Sequence, residues 1–173
     1  LCYYDYENGA LKYAFHNGSS WQFDTVDDDV FYNGQNCAVA LDAHNRPHIS
    51  YRDLELLYAR RDGGSWQITV VDDNFFAGDG LSMALDSSGQ PHISYYVDWP
   101  NDDLKYAFWT GNAWDIQTVD GEVQVGWYTS LALDGADQPH ISYFDVTSGD
   151  LKYARWTGST WDIQTVDSEG AVG

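Results

Sequence analysis

A ten-residue phrase that occurs three times constrains this chain more than any bulk property. Asp42-Ala-His-Asn-Arg-Pro-His-Ile-Ser-Tyr51 returns as Asp86-Ser-Ser-Gly-Gln-Pro-His-Ile-Ser-Tyr95 and as Asp134-Gly-Ala-Asp-Gln-Pro-His-Ile-Ser-Tyr143. A degenerate copy, Leu1-Cys-Tyr-Tyr-Asp5, opens the chain. Three other segments recur around it in fixed order. One is Leu11–Ala14, matched by Leu57–Ala59, Leu104–Ala107 and Leu151–Ala154. Another starts at a Trp: Trp21–Val26, Trp66–Val71, Trp114–Val119 and Trp161–Val166, with the Trp residues 45, 48 and 47 positions apart. The last is Cys37–Asp42, Leu81–Asp86 and Thr129–Asp134. Four short apolar runs in every 40 to 50 residues, roughly, is the signature of β-propeller blades.

Local chemistry supports strands throughout. The runs are rich in Val, Ile, Thr, Tyr, Phe and Trp, and a helical 3.6-residue period is absent. Asn17-Gly18, Asp62-Gly63, Thr110-Gly111 and Thr157-Gly158 precede the Trp strands and suit tight hairpins. The Pro of each Pro-His-Ile-Ser phrase opens a strand, where a missing N–H is tolerated. Both faces of the strands are apolar: Leu104, Tyr106 and Phe108 point one way, and Lys105, Ala107 and Trp109 the other. A blade packed between two neighbours needs that two-sided pattern, whereas a sandwich needs a cleaner alternation.

The expected fold is therefore all-β, a single propeller over 1–173 with four blade repeats at about 1–36, 37–80, 81–128 and 129–173. The strands number fifteen, so the first blade lacks one. That leaves an open edge which the chain's own tail, a neighbouring copy or further repeats can fill. Acidic, aromatic-bearing linkers (Asp27–Asn36, Asp72–Gly80 and Asp120–Tyr128) join the blades, each with one Gly, at 34, 78 and 126. The chain does not open on Met and shows no signal peptide, as expected of a processed form or of a piece of a longer chain.

Charge limits the partners. Against 27 acidic residues stand eight Lys and Arg, for a formal net charge of −19. Such a chain repels phosphate backbones and anionic membranes, so nucleic acid and membrane insertion are not expected. Cys2 and Cys37 form no C-x-x-C pair. They read either as a disulfide in a secreted protein or as small buried hydrophobes.

The repeats Asp-x-x-Gly-x-Pro-His-Ile-Ser-Tyr and Leu-Lys-Tyr-Ala-x-Trp-Thr-Gly-x-x-Trp resemble the tandem repeats of secreted bacterial and archaeal β-propeller proteins, across essentially the whole chain. The Gly-x-x-Trp hairpin (Gly18–Trp21, Gly63–Trp66, Gly111–Trp114, Gly158–Trp161) is similar to the tail of the Asp-box hairpin of sialidase-type propellers, without that box's Ser-x-Asp start. The resemblance implies an extracellular or cell-surface scaffold used for recognition, adhesion or assembly.

Catalytic constellations are thin. No nucleophile elbow, His-Glu-x-x-His or phosphate loop is present. Arg46, Arg52, Arg60, Arg61 and Arg155 sit at unlike repeat positions and form no carboxylate clamp. His48, His92 and His140 recur once per blade, which suits a structural role better than a metal ring. Asp27, Asp28 and Asp29, and Asp72 and Asp73, are the candidate Ca²⁺ ligands, since hard cations take clustered oxygens; a solvated acidic loop is the competing reading. Residues that break the repeat are the binding candidates. Trp99 and Asp98 lie in the insertion 97–102, and Trp127 and Tyr128 lie where the other linkers carry no ring. Such rings serve a glycan, a protein partner or simple burial.

Three functions follow from these features. The first is an extracellular, non-enzymatic module that recognises or adheres to glycan or protein through its blade-linking loops. The second is a subunit that self-assembles into a ring or filament by strand exchange at the first blade. The third, least favoured, is a carbohydrate-active enzyme.

Overall fold

A computed structural model describes residues 1–31, 36–99, 102–122 and 124–172. The described residues form fifteen strands in four antiparallel meanders. The first sheet has three strands, β1 (Cys2–Asp5), β2 (Ala10–His16) and β3 (Trp21–Asp27). The second runs β4 (Cys37–Leu41), β5 (Pro47–Arg52), β6 (Leu56–Asp62) and β7 (Ser65–Asp72). The third runs β8 (Ala77–Leu85), β9 (Pro91–Val97), β10 (Asp103–Trp109) and β11 (Trp114–Asp120). The fourth runs β12 (Val125–Leu133), β13 (Pro139–Asp145), β14 (Asp150–Trp156) and β15 (Trp161–Asp167). These are four propeller blades, the first short by its inner strand.

The core lies between blades, and each gap is filled alike. Tyr13 of blade 1 meets Trp66 of blade 2 edge to face, with ring centroids 5.8 Å apart. Tyr58 meets Trp114 at 5.4 Å, and Tyr106 meets Trp161 at 5.3 Å. Ile49 and Tyr51, Ile93 and Tyr95, and Ile141 and Tyr143 are buried in the same three gaps. Aromatic rings of this size account for much of the apolar burial that holds blade to blade.

A bulge recurs in every outer strand. Leu11 pairs with Asp27 while Lys12 pairs with Thr25, so Val26 is the extra residue; the shift repeats at Leu56/Leu57, Leu104/Lys105 and Leu151/Lys152. A bulge re-aims the side chains beside it. Here it turns Asp27, Asp72 and Asp120 toward the next blade. The hydroxyls of Tyr51, Tyr95 and Tyr143 donate to these carboxylates at 2.6, 2.8 and 2.7 Å. Lys105 adds a contact to Asp72 at 3.4 Å, and Lys152 one to Asp120 at 3.5 Å.

The histidines of the repeat serve the blade. The Nδ1 atoms of His48, His92 and His140 hydrogen-bond the hydroxyls of Tyr58, Tyr106 and Tyr153. Their Nε2 atoms face Asp42, Asp86 and Asp134 at 3.8, 3.6 and 3.6 Å. Those aspartates also accept backbone N–H groups in the turn before each Pro, which fixes the strand entry.

Two strands are longer than the sequence pattern suggests. β8 and β12 start at Ala77 and Val125, so the last four residues of each linker are strand. Gly78 and Gly126 sit at φ of 103° and 102°, and Gly80 and Tyr128 both at 53°. These kinks let pairing continue across two bulges, with Asp79 opposite Tyr96 and Trp127 opposite Phe144. Gly126 also passes so close to Leu104 that a Cβ there would lie 2.8 Å from it. The corresponding Gly34 lies outside the described residues.

Candidate ligand-binding site

The inner strands β4, β8 and β12 lie side by side. Where they begin, they leave a cavity of about 310 Å³, lined by Asn36, Asp79, Gly80, Tyr96, Asp98, Trp127 and Tyr128. Asn36, Gly80 and Tyr128 occupy one repeat position in three blades, and Asp79 and Trp127 share the neighbouring one. The repeat thus delivers one position three times to a single mouth, and the chain fills it with different chemistry each time.

Rings and acids face each other across this cavity. Trp127 lies 5.7 Å from the Tyr96 ring and 6.0 Å from the Tyr128 ring. Tyr96 is buried and its hydroxyl donates to Asp102 Oδ1 at 2.9 Å. Burial first, and then the Asp102 carboxylate, push that hydroxyl up to about 12, against a hydrogen bond from Trp127 that lowers it. It therefore stays a neutral donor at any physiological pH. Asp79 accepts from Asn36 Nδ2 at 2.8 Å and pairs with the Arg52 guanidinium. Arg52 holds the carboxylate in place, and its own Nε is buried without a partner among the described residues. Tyr128 is exposed and takes a left-handed backbone that a non-glycine residue seldom adopts, so the bulge aims its ring outward at a conformational cost.

Asp98, Trp127 and Tyr128, singled out because they break the repeat, meet at this cavity. Trp99 does not line it. Its exposed ring lies edge-on to Phe76, with centroids 6.3 Å apart. Tyr96, Asp79 and Asn36 escaped the sequence reading. Tyr96 looks like a repeat residue, and Asp79 and Asn36 look like linker; the unlike residues at the Asp79/Trp127 position were the available signal.

The acidic runs do not gather into a cation site. Asp27 and Asp72 each direct an oxygen to a Tyr of the next blade, and Asp72 also faces Lys105. Asp28, Asp29 and Asp73 face solvent. Among the described residues no three His, Cys, Asp or Glu side chains come together as a metal-binding group. The bulge and the blade gap commit one oxygen each of Asp27 and Asp72 to the next blade. Cys2 of β1 and Cys37 of β4 are bonded to each other, with Cα atoms 6.2 Å apart.

A second opening lies at the opposite end of the blades, between blades 2 and 3. This cleft of about 370 Å³ is walled by Arg60, Asp62 and Gln67 on one side and Trp109 and Trp114 on the other. A smaller relative of about 200 Å³, between blades 3 and 4, carries Phe108 and Gln117 in place of Arg60 and Thr69.

No protein-family model and no curated protein matches the sequence. Solved structures do match in fold. A fucose lectin from Kordia zhangzhouensis, solved with methyl-fucoside, is 23% identical with a TM-score of 0.56, over 77% of this chain and 99% of its own. A triple arginine-to-alanine mutant of AofleA from Arthrobotrys oligospora is 17% identical with a TM-score of 0.69, over 94% of this chain and 52% of its own. The fucose-specific lectin from Aleuria aurantia is 15% identical with a TM-score of 0.63, over 93% of this chain and 54% of its own. The chain therefore spans about half the length of the last two. At these identities the likeness establishes the propeller architecture.

Proposed function

We propose that this chain is a non-catalytic carbohydrate-recognition module of the extracellular space, and that it holds a neutral sugar in the cavity at the head of the inner strands. The observation that carries this reading is the convergence of three rings, Tyr96, Trp127 and Tyr128, with the polar side chains of Asn36, Asp79 and Asp98 around one cavity of about 310 Å³. A sugar offers C–H faces to rings and hydroxyls to carboxylates and amides. Ligand sites of this kind fall at roughly 300–1,000 Å³ and combine apolar walls with a few placed polar groups. The fold likeness to fucose lectins supports the class of ligand by analogy. The disulfide supports the setting, since such bonds persist in oxidising compartments.

A second location has its own observation. Arg60, Gln67 and Trp109 converge in the cleft between blades 2 and 3, which offers a guanidinium, an amide and an indole to one ligand. One experiment separates the two. Calorimetric titration with methyl fucoside, methyl galactoside and methyl mannoside is run on the parent chain, Trp127→Ala, Asp98→Ala and Trp109→Ala. Binding of a sugar that Trp127→Ala and Asp98→Ala weaken at least tenfold, and Trp109→Ala leaves intact, supports the first cavity. The reverse pattern moves the site to the cleft. No binding of any sugar at millimolar concentration overturns the proposal.

A further inference from the structure

Blades 2 and 3, and blades 3 and 4, enclose two versions of one cleft, and the first lacks a bond that the second has. Trp114 and Trp161 hold the same repeat position. The Trp161 indole N–H donates to Gln117 Oε1 of the blade before it at 3.3 Å. Blade 2 carries the shorter Thr69 at the place of Gln117. Trp114 Nε1 is accordingly buried and, among the described residues, has no hydrogen-bond partner. A buried donor left unpaired costs free energy, which an acceptor arriving from outside recovers.

A second difference removes a counter-ion. Arg60 and Arg155 occupy the same strand position. Arg155 Nε donates to Asp162, its cross-strand partner, at 3.0 Å. The cross-strand partner of Arg60 is the neutral Gln67. Of the eight Lys and Arg, six are ion-paired and Lys12 donates to Thr25. Among the described residues the Arg60 side chain alone has neither an ion pair nor a hydrogen bond. In the cleft between blades 3 and 4, Phe108 stands in its place. A chain with 27 acidic residues thus leaves one guanidinium uncommitted, and leaves it beside an unpaired indole N–H.

We propose that the cleft between blades 2 and 3 is a binding site for an acidic sugar, a pyranose ring that bears a carboxylate. The carboxylate accepts from the Arg60 guanidinium, whose planar fork matches it, and from the Trp114 indole N–H. The half-buried Trp109 indole, edge-on to Trp114 with centroids 5.5 Å apart, takes the C–H face of the ring. Gln67 donates through Nε2 to Trp66 O at 3.3 Å, which leaves its Oε1 for a sugar hydroxyl. Asp62 is the one carboxylate among the lining residues; it is exposed at the hairpin end, where solvent screens it. The cleft, at about 370 Å³, is of ligand size. This site differs in place and in chemistry from the neutral-sugar cavity at the head of the inner strands, and it does not rest on that reading.

The test is proton–nitrogen NMR of the tryptophan indole groups during titration to about 20 mM, above the millimolar range of weak binding. The probes are methyl glucuronide and methyl galacturonide, with methyl glucoside and methyl galactoside as neutral twins and acetate as the acid without a ring. Trp114→Phe assigns the Trp114 resonance. The expected result is a saturable shift of that resonance with at least one uronide and none with the neutral twins or acetate. Arg60→Gln weakens uronide binding about tenfold or more, as loss of a charge-assisted hydrogen bond does. Thr69→Gln installs the cap that the next joint already has, so it moves the Trp114 resonance in the free protein and weakens uronide binding about tenfold. Arg60 is exposed and a Gln already occupies the Thr69 position in blade 3, so both variants keep the fold, which the dispersion of the other indole resonances reports. No shift of the Trp114 resonance with either uronide overturns the proposal. So does uronide binding that Arg60→Gln leaves unchanged, or an equal response to the neutral twins or to acetate.

Discussion

Tyr95→Phe tests the logic of the blade joint at a single atom. The Tyr95 hydroxyl is buried and donates to Asp72 Oδ2 at 2.8 Å; burial, then the Asp72 charge, raise its pKa far above the ordinary tyrosine value, so it remains a donor. Phenylalanine keeps the ring and its packing and deletes only the donor. A hydrogen bond to a charged group contributes about 1.5–3 kcal/mol. Asp72 keeps Lys105 Nζ at 3.4 Å, so it is not stranded and the lower half of that range applies, about 1.5–2 kcal/mol. With a urea slope near ~2 kcal/mol/M, the unfolding midpoint followed by tryptophan fluorescence falls by about 0.8–1 M. Tyr3→Phe is the internal control. Among the described residues its hydroxyl makes no hydrogen bond, so the midpoint stays where it is. If Tyr95→Phe unfolds with the parent chain, or if Tyr3→Phe loses as much, the repeated tyrosine–aspartate bond is not what ties blade to blade.

Two further outcomes follow from the same structure. Reducing Cys2–Cys37, or replacing both with Ser, opens a loop of sequence separation 35; chain entropy puts the loss at about 4 kcal/mol, read as a lower urea midpoint with dithiothreitol than without. Equal midpoints would reject a stabilising cross-link. The second concerns pH. Burial, partly opposed by Asp42 and by Asp86, lowers the folded-state pKa of His48 and of His92 below the ordinary 6.5. The unfolded chain therefore takes up these protons first, and their contribution to stability is lost as pH falls below about 6.5. Asp42, Asp134 and Asp145 have lowered pKa values and lose their contributions only in stronger acid. Between pH 7.5 and 5, roughly, the midpoint should fall less steeply for the variant with His48→Gln and His92→Gln than for the parent chain; parallel curves would remove the histidines from the account.

The period of the Trp strands and the alternation within each run were enough to read the blades, because strand patterning is local and the repeat averages out its noise. The missing sixteenth strand was legible for the same reason. Trp127, Tyr128 and Asp98 were legible as exceptions, since a scaffold position that changes residue type is free of the scaffold's demands. Asp27 and Asp72 carry a role that the sequence did not show. In the sequence they are loop carboxylates, but the Val26 and Val71 bulges turn them into blade-to-blade acceptors, and a bulge is set by the pairing of two strands rather than by either one.

The sequence by itself determined the architecture, because period, turn residues and two-sided strands are properties of neighbours along the chain. The tertiary structure decided which residues share a site. Asn36, Asp79, Tyr96, Asp98 and Trp127 meet because three inner strands begin at one mouth, and 91 positions separate Asn36 from Trp127. It also decided which faces are covered. Leu1, Tyr3 and Trp21 belong to segments that recur in every blade, and only the stacking of blades shows that, among the described residues, they stay exposed where their counterparts are covered.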